Sequence, residues 1–486
     1  MINTGIKLSS GGVIHSDYLA HAQANFLAEN ELDNFIASCG SPLRKSIRVN
    51  TLKISVEKFK TIADSYHWKL TPIPWCAEAF WLEFTYGEQD FLLGNTPEHI
   101  QGLFYVQESS SMLPPFALLK EQNIEQPLIV DMAAAPGSKT TQIAAMLNNQ
   151  GIVLANELSA SRLKFLSANL VRCGILNTAM SHLDARKIGT FMPGQFDYVL
   201  LDAPCGCEGT VRKDINALKN WSLDAVKEIA KLQKELILSA YAALKPGGKM
   251  VYSTCTLSPE ENQQVANYLV EQTDAVIEPL NHLFEGANEA VDENGYLLVL
   301  PHQFDSEGFF IASFRKPNSE VETVPLKEIY QSPFVEINRK IKKQVIDYYL
   351  AHFAINIDLD GYELLQRDKE VWLFPENISR LNSHMKINRA GLKLAQVYPN
   401  KIRSSHEFAC CIGELAGRQK VEMDRSQLEQ FMQGRNIEVT PELVDQGEVL
   451  LCFQGSIVGL GQNQKGKVKS GLPRELVKDN YRYPIC

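Results

Sequence analysis

The sequence predicts a doubly wound α/β domain at the centre of the chain, with an α+β lobe before it and a small β-barrel after it. Three observations carry this. Between Pro127 and Phe314, strand-like apolar runs alternate strictly with helix-like segments, the pattern of a largely parallel sheet covered on both faces. The run Pro127–Met132 is apolar nearly throughout rather than alternating, as expected of a strand buried on both sides. After Met385 the texture changes to short strands separated by many glycines.

A chain of 486 residues exceeds one ordinary core, so several domains are expected. Hydrophobic content of 45% and charged content of 22% exclude a disordered polymer, and no apolar stretch is long enough to span a bilayer. The first dozen residues lack the apolar run of a signal peptide, and the ten cysteines form no dense framework. Reduced thiols and a cytoplasmic location are therefore expected. Net charge is −9, which argues against a protein that simply coats nucleic acid. From Met385 onward 15 lysines and arginines face 11 acids, so that segment is net +4 and the rest −13. A basic tail on an acidic body suggests one module that faces RNA or DNA.

Taken in order, residues 1–100 read as the α+β lobe. Ser46–Lys53 alternates like a strand, Val56–Tyr66 has helical spacing, and Trp68–Pro74 reads as a second strand. Arg44, Lys45 and Arg48 lie alongside and are either candidates for phosphate contact or solvated charges on a lobe that serves only packing. Tyr105–Pro115 reads as a helix entering the main domain, assigned to 101–317. There the strands are Pro127–Met132, Ile152–Asn156, one ending near Asp184, Phe196–Leu201 and Lys249–Thr254, with a last pair at Tyr296–Leu300 and Phe309–Phe314. Ser159 is placed to cap a helix whose Leu163, Leu166 and Leu170 face the sheet. A long helix from Ala225 to Leu244 is expected to bury Ile229, Leu232, Leu236 and Ala240. Residues 318–384 read as a linker and helical connection, with Arg339–Lys343 on an amphipathic helix. The barrel is assigned to 385–486, its clearest element a hairpin from Gly447–Phe453 to Ser456–Gly461 through Gln454-Gly455.

The chemistry collects at three strand ends and two thiols. Asp131 closes the first strand, and Ala133, Ala134, Ala135, Pro136, Gly137, Ser138 and Lys139 form a crossover almost bare of side chains. Bare backbone admits a ligand closely, and the helix N-terminus that follows favours an anionic group. Glu157 ends the next strand, 26 residues after Asp131, where an acid takes ribose hydroxyls in such folds. Asp184, at the third strand end, is placed to accept from an adenine amino group. A nucleoside with a carboxylate tail, as in S-adenosylmethionine, satisfies all three. A P-loop is rejected because the early glycine is missing, and a dinucleotide fingerprint because only Gly137 of its three glycines is present.

Cys205 and Cys255 follow the fourth and fifth strands. Carbon 5 of a pyrimidine is a poor nucleophile, and a thiolate added to carbon 6 makes it an enamine-like centre able to attack a methyl donor. A second group must then help to remove the carbon-5 proton and release the nucleophile. Asp202 is placed to hold the base's N3 and amino edge. Cys207 forms a C-x-C with Cys205, but no second pair has zinc spacing, so no metal is expected.

These stretches resemble the NOL1/NOP2/Sun family of RNA 5-methylcytosine methyltransferases. The resemblance runs through Arg48–Thr51, Tyr105–Gln107, Ser109–Pro114, Ala133–Lys139, Asp202–Cys205 with Gly209-Thr210, Leu244–Gly248, Ser253–Thr256 with Glu260–Asn262, and Gly308–Ala312. It implies a Rossmann-like, class I S-adenosylmethionine-dependent methyltransferase domain. It implies further that Cys255 is the nucleophile, that Cys205 releases the product, and that the donor lies on Ala133–Lys139 with Glu157, Asp184 and Asp202. Length and C-terminal region resemble the bacterial members that methylate a cytidine of small-subunit 16S rRNA and carry a PUA-like barrel. For these an rRNA partner, as part of the small ribosomal subunit or its precursor, no metal, no membrane and a monomer are expected. Cys207 departs from the family's usual small residue. Methylation of tRNA, and an RNA-binding assembly role without catalysis, are the competing readings.

Overall fold

The computed structural model describes residues 5–84, 93–318, 330–376, 378, 381, 384–440 and 444–483. Its centre is a nine-stranded sheet. The strands are β1 (Leu128–Asp131), β2 (Ile152–Asn156), β3 (Thr178–Ser181), β4 (Phe196–Asp202), β5 (Leu244–Thr254), β6 (Val276–Ile277), β7 (Leu297–Val299), β8 (Phe309–Arg315) and β9 (Ile387–Ala390). Their spatial order is β6-β8-β5-β4-β1-β2-β3-β9, with β7 also paired to β8. The five strands β1 to β5 run parallel, and β8 returns antiparallel to β5. The strand order reverses between β1 and β4, so a crevice opens there beyond the carboxyl ends.

The burial pattern explains why these runs are strands. Leu128, Val130, Val199 and Leu201 point into one core, while Ile129, Tyr198 and Leu200 point into another. Side chains alternate across a pleat, so a strand with a core on each face must be apolar at every position. Three helices cover the faces next to the site: α1 (Ser138–Met146), α2 (Ala160–Arg172) and α3 (Leu223–Ala243). Ser159 caps α2 by accepting from the Arg162 N–H, and Leu166 and Leu170 are buried with Leu163 at the margin. The face of α3 differs from the expected one by about one position. Val226, Ala230, Gln233, Leu236, Ile237 and Ala240 are buried, whereas Leu232 is exposed. The polar Gln233 belongs to the buried stripe because it serves the site below, and it shifts the face read from apolar residues alone.

The first lobe contains a four-stranded sheet in the order Trp68–Ile73, Cys76–Phe84, Lys45–Val49, Phe104–Val106, backed by the helix Val56–Ser65. Tyr105 and Val106 are therefore in a strand, not in the expected helix, which begins only at Leu113 after a 3₁₀ turn. The helix reading failed because the pairing of Arg48 with Tyr105 is non-local. Residues 5–39 pack elsewhere. Ile14, Tyr18, Leu19 and Phe35 share a core with Val211, Leu218, Leu257 and Leu300, which lie on the segments that follow β4, β5 and β7.

The polar stretch expected as a linker falls mostly on 319–329, outside the described residues. Beyond it, the helix Arg339–Phe353 forms as expected and packs Val345, Tyr349 and Phe353 onto a five-stranded sheet. Strand β9 pairs antiparallel with β3, so residues 387–390 extend the central sheet. Phe334, Trp372, Phe374, Ile378, Leu381 and Met385 share its core. A division at Met385 would thus cut through one hydrophobic cluster. The final sheet, a half-barrel, orders its strands as Lys420–Glu422, Gly447–Phe453, Ser456–Gln464, Lys467–Ser470 and Ile437–Glu438. Its expected hairpin is present, with Gln454 at φ 51° and Gly455 at φ 79°, the left-handed pair of a type I′ turn.

Candidate active site

The register of β4 against β5 sets the site, because Asp202 pairs with Ser253 and so places Cys205 and Cys255 on neighbouring loops. Their sulfurs lie 3.3 Å apart and are half-buried. Two buried carboxylates clamp these loops together from opposite sides. Glu208, on the first loop, accepts from the Leu257 and Ser258 N–H groups at 3.0 and 2.8 Å, and from the Ser258 hydroxyl and Trp221 indole. Glu261, beyond Cys255, accepts from the Gly206 N–H at 3.0 Å and from Gln233 at 2.8 Å. Gln233 also donates to the Pro204 carbonyl, and the Gly209 N–H donates to the Cys255 carbonyl. Each loop is thus held by backbone donors of the other. Burial pushes the Glu261 carboxyl up to about 7.

Cys207 adopts a left-handed conformation, φ 58°, and its Sγ turns back to the Cys205 carbonyl at 3.4 Å. The sulfurs of Cys205, Cys207 and Cys255 all lie within 4.8 Å of one another. Chain spacing hid this grouping, since the third thiol comes from another strand. The Cys205 thiol is raised well above its ordinary range by its hydrogen bonds to Cys207 and Cys255 and by burial. Cys207, the most exposed of the three, is lowered because the other two thiols bond to its sulfur. The Cys205 bond pulls the Cys255 thiol down, but the bond to Cys207, burial and the Cys207 charge outweigh it, so Cys255 is raised.

Beside the thiols, Lys139 reaches from α1 across the switch point. Its ammonium group donates to Asp202 at 2.7 Å and to the Ser111 hydroxyl at 2.9 Å, with the Phe309 ring 5.3 Å away. Asp202 also accepts from Ser253 at 2.8 Å. Lys139 is nearly sealed from solvent, so this ion pair sits where its orientation is fixed. Burial alone would lower the Lys139 ammonium; Asp202 and Asp131 overcome it and raise it.

The turn Ala133–Gly137 is bare backbone. Gly137 has φ 107° and precedes an α1 whose first turn has no side-chain cap. Glu157 is buried; one oxygen accepts from the Ser159 N–H at 2.8 Å, and the other has no hydrogen-bond partner, only Arg162 at 3.4 Å. One oxygen of Asp131 is likewise buried without a hydrogen-bond partner. Burial raises this carboxyl to about 6, although Thr140 donates to it at 2.6 Å. Two unsatisfied buried acceptors beside an open turn fit a ligand that brings donors of its own. Asp184 is engaged differently. Both its oxygens receive the Arg186 guanidinium, at 2.7 to 3.0 Å, and this pairing lowers the carboxyl.

Sequence reasoning missed the clamp acids Glu208 and Glu261, and Gln233. It also counted Arg48 among the candidates for phosphate contact. Arg48 is buried instead and donates to Gln107 and Thr141, bracing the first lobe on α1. An alternating strand faces both ways, and the sequence did not show that Arg48 faces inward. Arg44 lies over the Trp81 ring at 4.5 Å and ion-pairs with Glu83 and Asp305.

Family comparisons cover each of these parts. The model for 16S rRNA methyltransferase RsmB/F matches residues 116–315, and that for the N-terminal domain of 16S rRNA methyltransferase RsmF matches 16–109. The RsmF pre-PUA and PUA domain models match 334–412 and 418–478. Among solved structures, a methyltransferase homologue of Pyrococcus horikoshii is 33% identical, with a TM-score of 0.52 over 61% of this chain and 93% of that one. NSun6 from the same organism, solved with SFG, shares the fold at a TM-score of 0.55 and 24% identity, over 63% and 98% of the two chains. The ribosomal RNA small subunit methyltransferase F of Vibrio vulnificus is 49% identical over 92% of this chain and 94% of its own. That of Psychromonas ingrahamii is 46% identical over 93% and 94%. With likeness of this depth along almost the whole length, the chain belongs to the ribosomal RNA small subunit methyltransferase F family.

Proposed function

We propose that this chain methylates carbon 5 of a cytidine in 16S rRNA, through a covalent bond between Cys255 and carbon 6 of the base. The observation that carries the reading is the pair of thiols 3.3 Å apart, beside the Lys139–Asp202 pair. Cys255 gives its proton to solvent, its thiolate adds to carbon 6, and the electron pair moves toward N3 and the carbonyl of the ring. There the Lys139 ammonium donates, while Asp202 accepts from the exocyclic amino group. Carbon 5 becomes nucleophilic and gains the methyl group. Cys205, once it has lost its own proton to solvent, takes the carbon-5 proton as a thiolate, the carbon–sulfur bond breaks, and the double bond re-forms as Cys255 leaves as a thiolate.

S-adenosylmethionine, when bound, supplies an electrophilic methyl group. Ala133–Lys139 would lie along it, and the Glu157 oxygen that faces only Arg162 would accept from its ribose. Asp184 would meet its adenine only after exchanging part of its Arg186 contact. The substrate is rRNA, free or in the assembling small subunit. Cytoplasmic action as a monomer belongs to the same reading, with the basic C-terminal segment facing RNA and the first lobe assisting.

Bisulfite sequencing of RNA from a deletion strain and its parent tests the reaction and the substrate together. The reading expects one protected cytidine of 16S rRNA to become convertible in the deletion strain. An unchanged 16S rRNA, or loss of protection in tRNA instead, overturns it.

A further inference from the structure

Three thiols meet at this site where the proposed reaction uses two. Cys205 and Cys255 are 3.3 Å apart, and Cys207 brings a third sulfur within 4.8 Å of both. A disulfide would also use only two of them. Three convergent sulfurs are the donor set of a soft d¹⁰ cation, which binds thiolates in a trigonal or tetrahedral arrangement. At a metal–sulfur distance of about 2.3 Å, tetrahedral geometry sets sulfurs about 3.8 Å apart, so each pair need change by no more than about 1 Å.

The scaffold around the sulfurs favours such a set. Glu208 and Glu261 tie the two loops to each other through backbone N–H groups, so Cys205 and Cys255 are positioned without any ligand. Cys207 reaches them only through its left-handed backbone, φ 58°, a conformation rare for a side-chain-bearing residue. It is exposed, so an ion can enter from solvent and retain an open fourth position.

We propose that Cys205, Cys207 and Cys255 form a binding site for a thiophilic divalent cation such as Zn²⁺. Each thiol gives up its proton as its sulfur coordinates, and Cys255 is then unable to attack a base. Occupancy of the site therefore inhibits the reaction proposed above. The binding itself does not depend on that reading; only the inhibition does.

The test uses the full chain in a phosphine reductant, which keeps the thiols reduced without competing for metal as a thiol would. Cd²⁺ is the optical probe, read by its thiolate charge-transfer absorption, and Zn²⁺ is the competitor. Wild type should bind one ion at this site with the absorbance of three thiolates. Cys207→Ser should bind at least about tenfold more weakly, with lower absorbance per ion. Its methyl transfer, measured against its own metal-free rate, should resist Zn²⁺ by a similar factor. Equal affinity in Cys207→Ser and wild type, or no charge-transfer band in wild type, overturns the proposal. Metal binding by a protein that methylates no RNA would instead overturn the proposed reaction and leave the metal site standing.

Discussion

At the scale of single residues, burial decides what the acids do. Asp131 is sealed beneath the turn, and its carboxyl is raised to about 6 from 3.8 by loss of solvent. An acid with a raised folded pKa stabilises the fold while protonated, and that contribution is lost as pH rises from about 4 through about 6. Asp131→Asn lacks this titration but keeps an oxygen for Thr140. The stability of wild-type apoprotein relative to Asp131→Asn should therefore fall over that window and level off above it, as measured by urea unfolding at a series of pH values. A relative stability that rises with pH would mean that the folded protein prefers the anion. The strand-end positions of Asp131, Glu157 and Asp202 were legible in the sequence, because strand ends follow from apolar runs. The pairing of Asp184 with Arg186 was also within reach, since only Ala185 separates the two. The inward turn of Arg48 was not, because both faces of its strand are covered and the cover over Arg48 is α1, far away in sequence.

At the scale of elements, the site depends on loops that cross-tie rather than on either loop alone. The loop after β4 is also packed closely against the segment that leads into β8, where Gly209 meets Gly308. A Cβ on Gly209 would lie 2.2 Å from the Gly308 carbonyl oxygen, and the Gly308 N–H donates to Gly209 at 2.9 Å. Backbone cannot yield as a side-chain tip can, so Gly209→Ala must part the Cys205 loop from the segment leading into β8. We expect a loss of about 1–3 kcal/mol in unfolding free energy and loss of methyl transfer even where the variant remains folded. Retained activity with unchanged stability would show that the loops have slack. Sequence periodicity located these loops through the strands they follow. It did not reveal the clamp, because the donors that Glu208 and Glu261 meet lie on the opposite loop, far away in sequence. The same limit explains the face of α3, where buried Gln233 interrupts the apolar stripe.

At the scale of the whole molecule, the outer parts pack tightly onto the centre. β9 completes the central sheet, and Gln101 donates to the Phe453 and Ser456 carbonyls, joining the first lobe to the last sheet. Removing the C-terminal segment would expose shared cores, so surface charges test RNA docking more cleanly. Lys465, Lys467 and Lys469 are exposed, while Val468 between them is buried. If they meet phosphates, changing all three to Gln should weaken RNA binding and reduce the slope of log affinity against log salt by about 3, leaving the melting temperature unchanged. An unaltered slope would place the RNA elsewhere. The change of texture after Met385 revealed a separate sheet, but the place of β9 was hidden, because a four-residue strand carries no signal of its distant partner. The central claim requires RNA, methyl donor and both thiols together, and one gel reads it. Cys205→Ala, incubated with donor and RNA, should accumulate a denaturant-resistant protein–RNA band, because Cys255 attacks while release lacks its helper. The band should be absent from Cys205→Ala/Cys255→Ala. A band in Cys255→Ala instead would reverse the two roles, and its absence from every variant would contradict covalent catalysis by this pair.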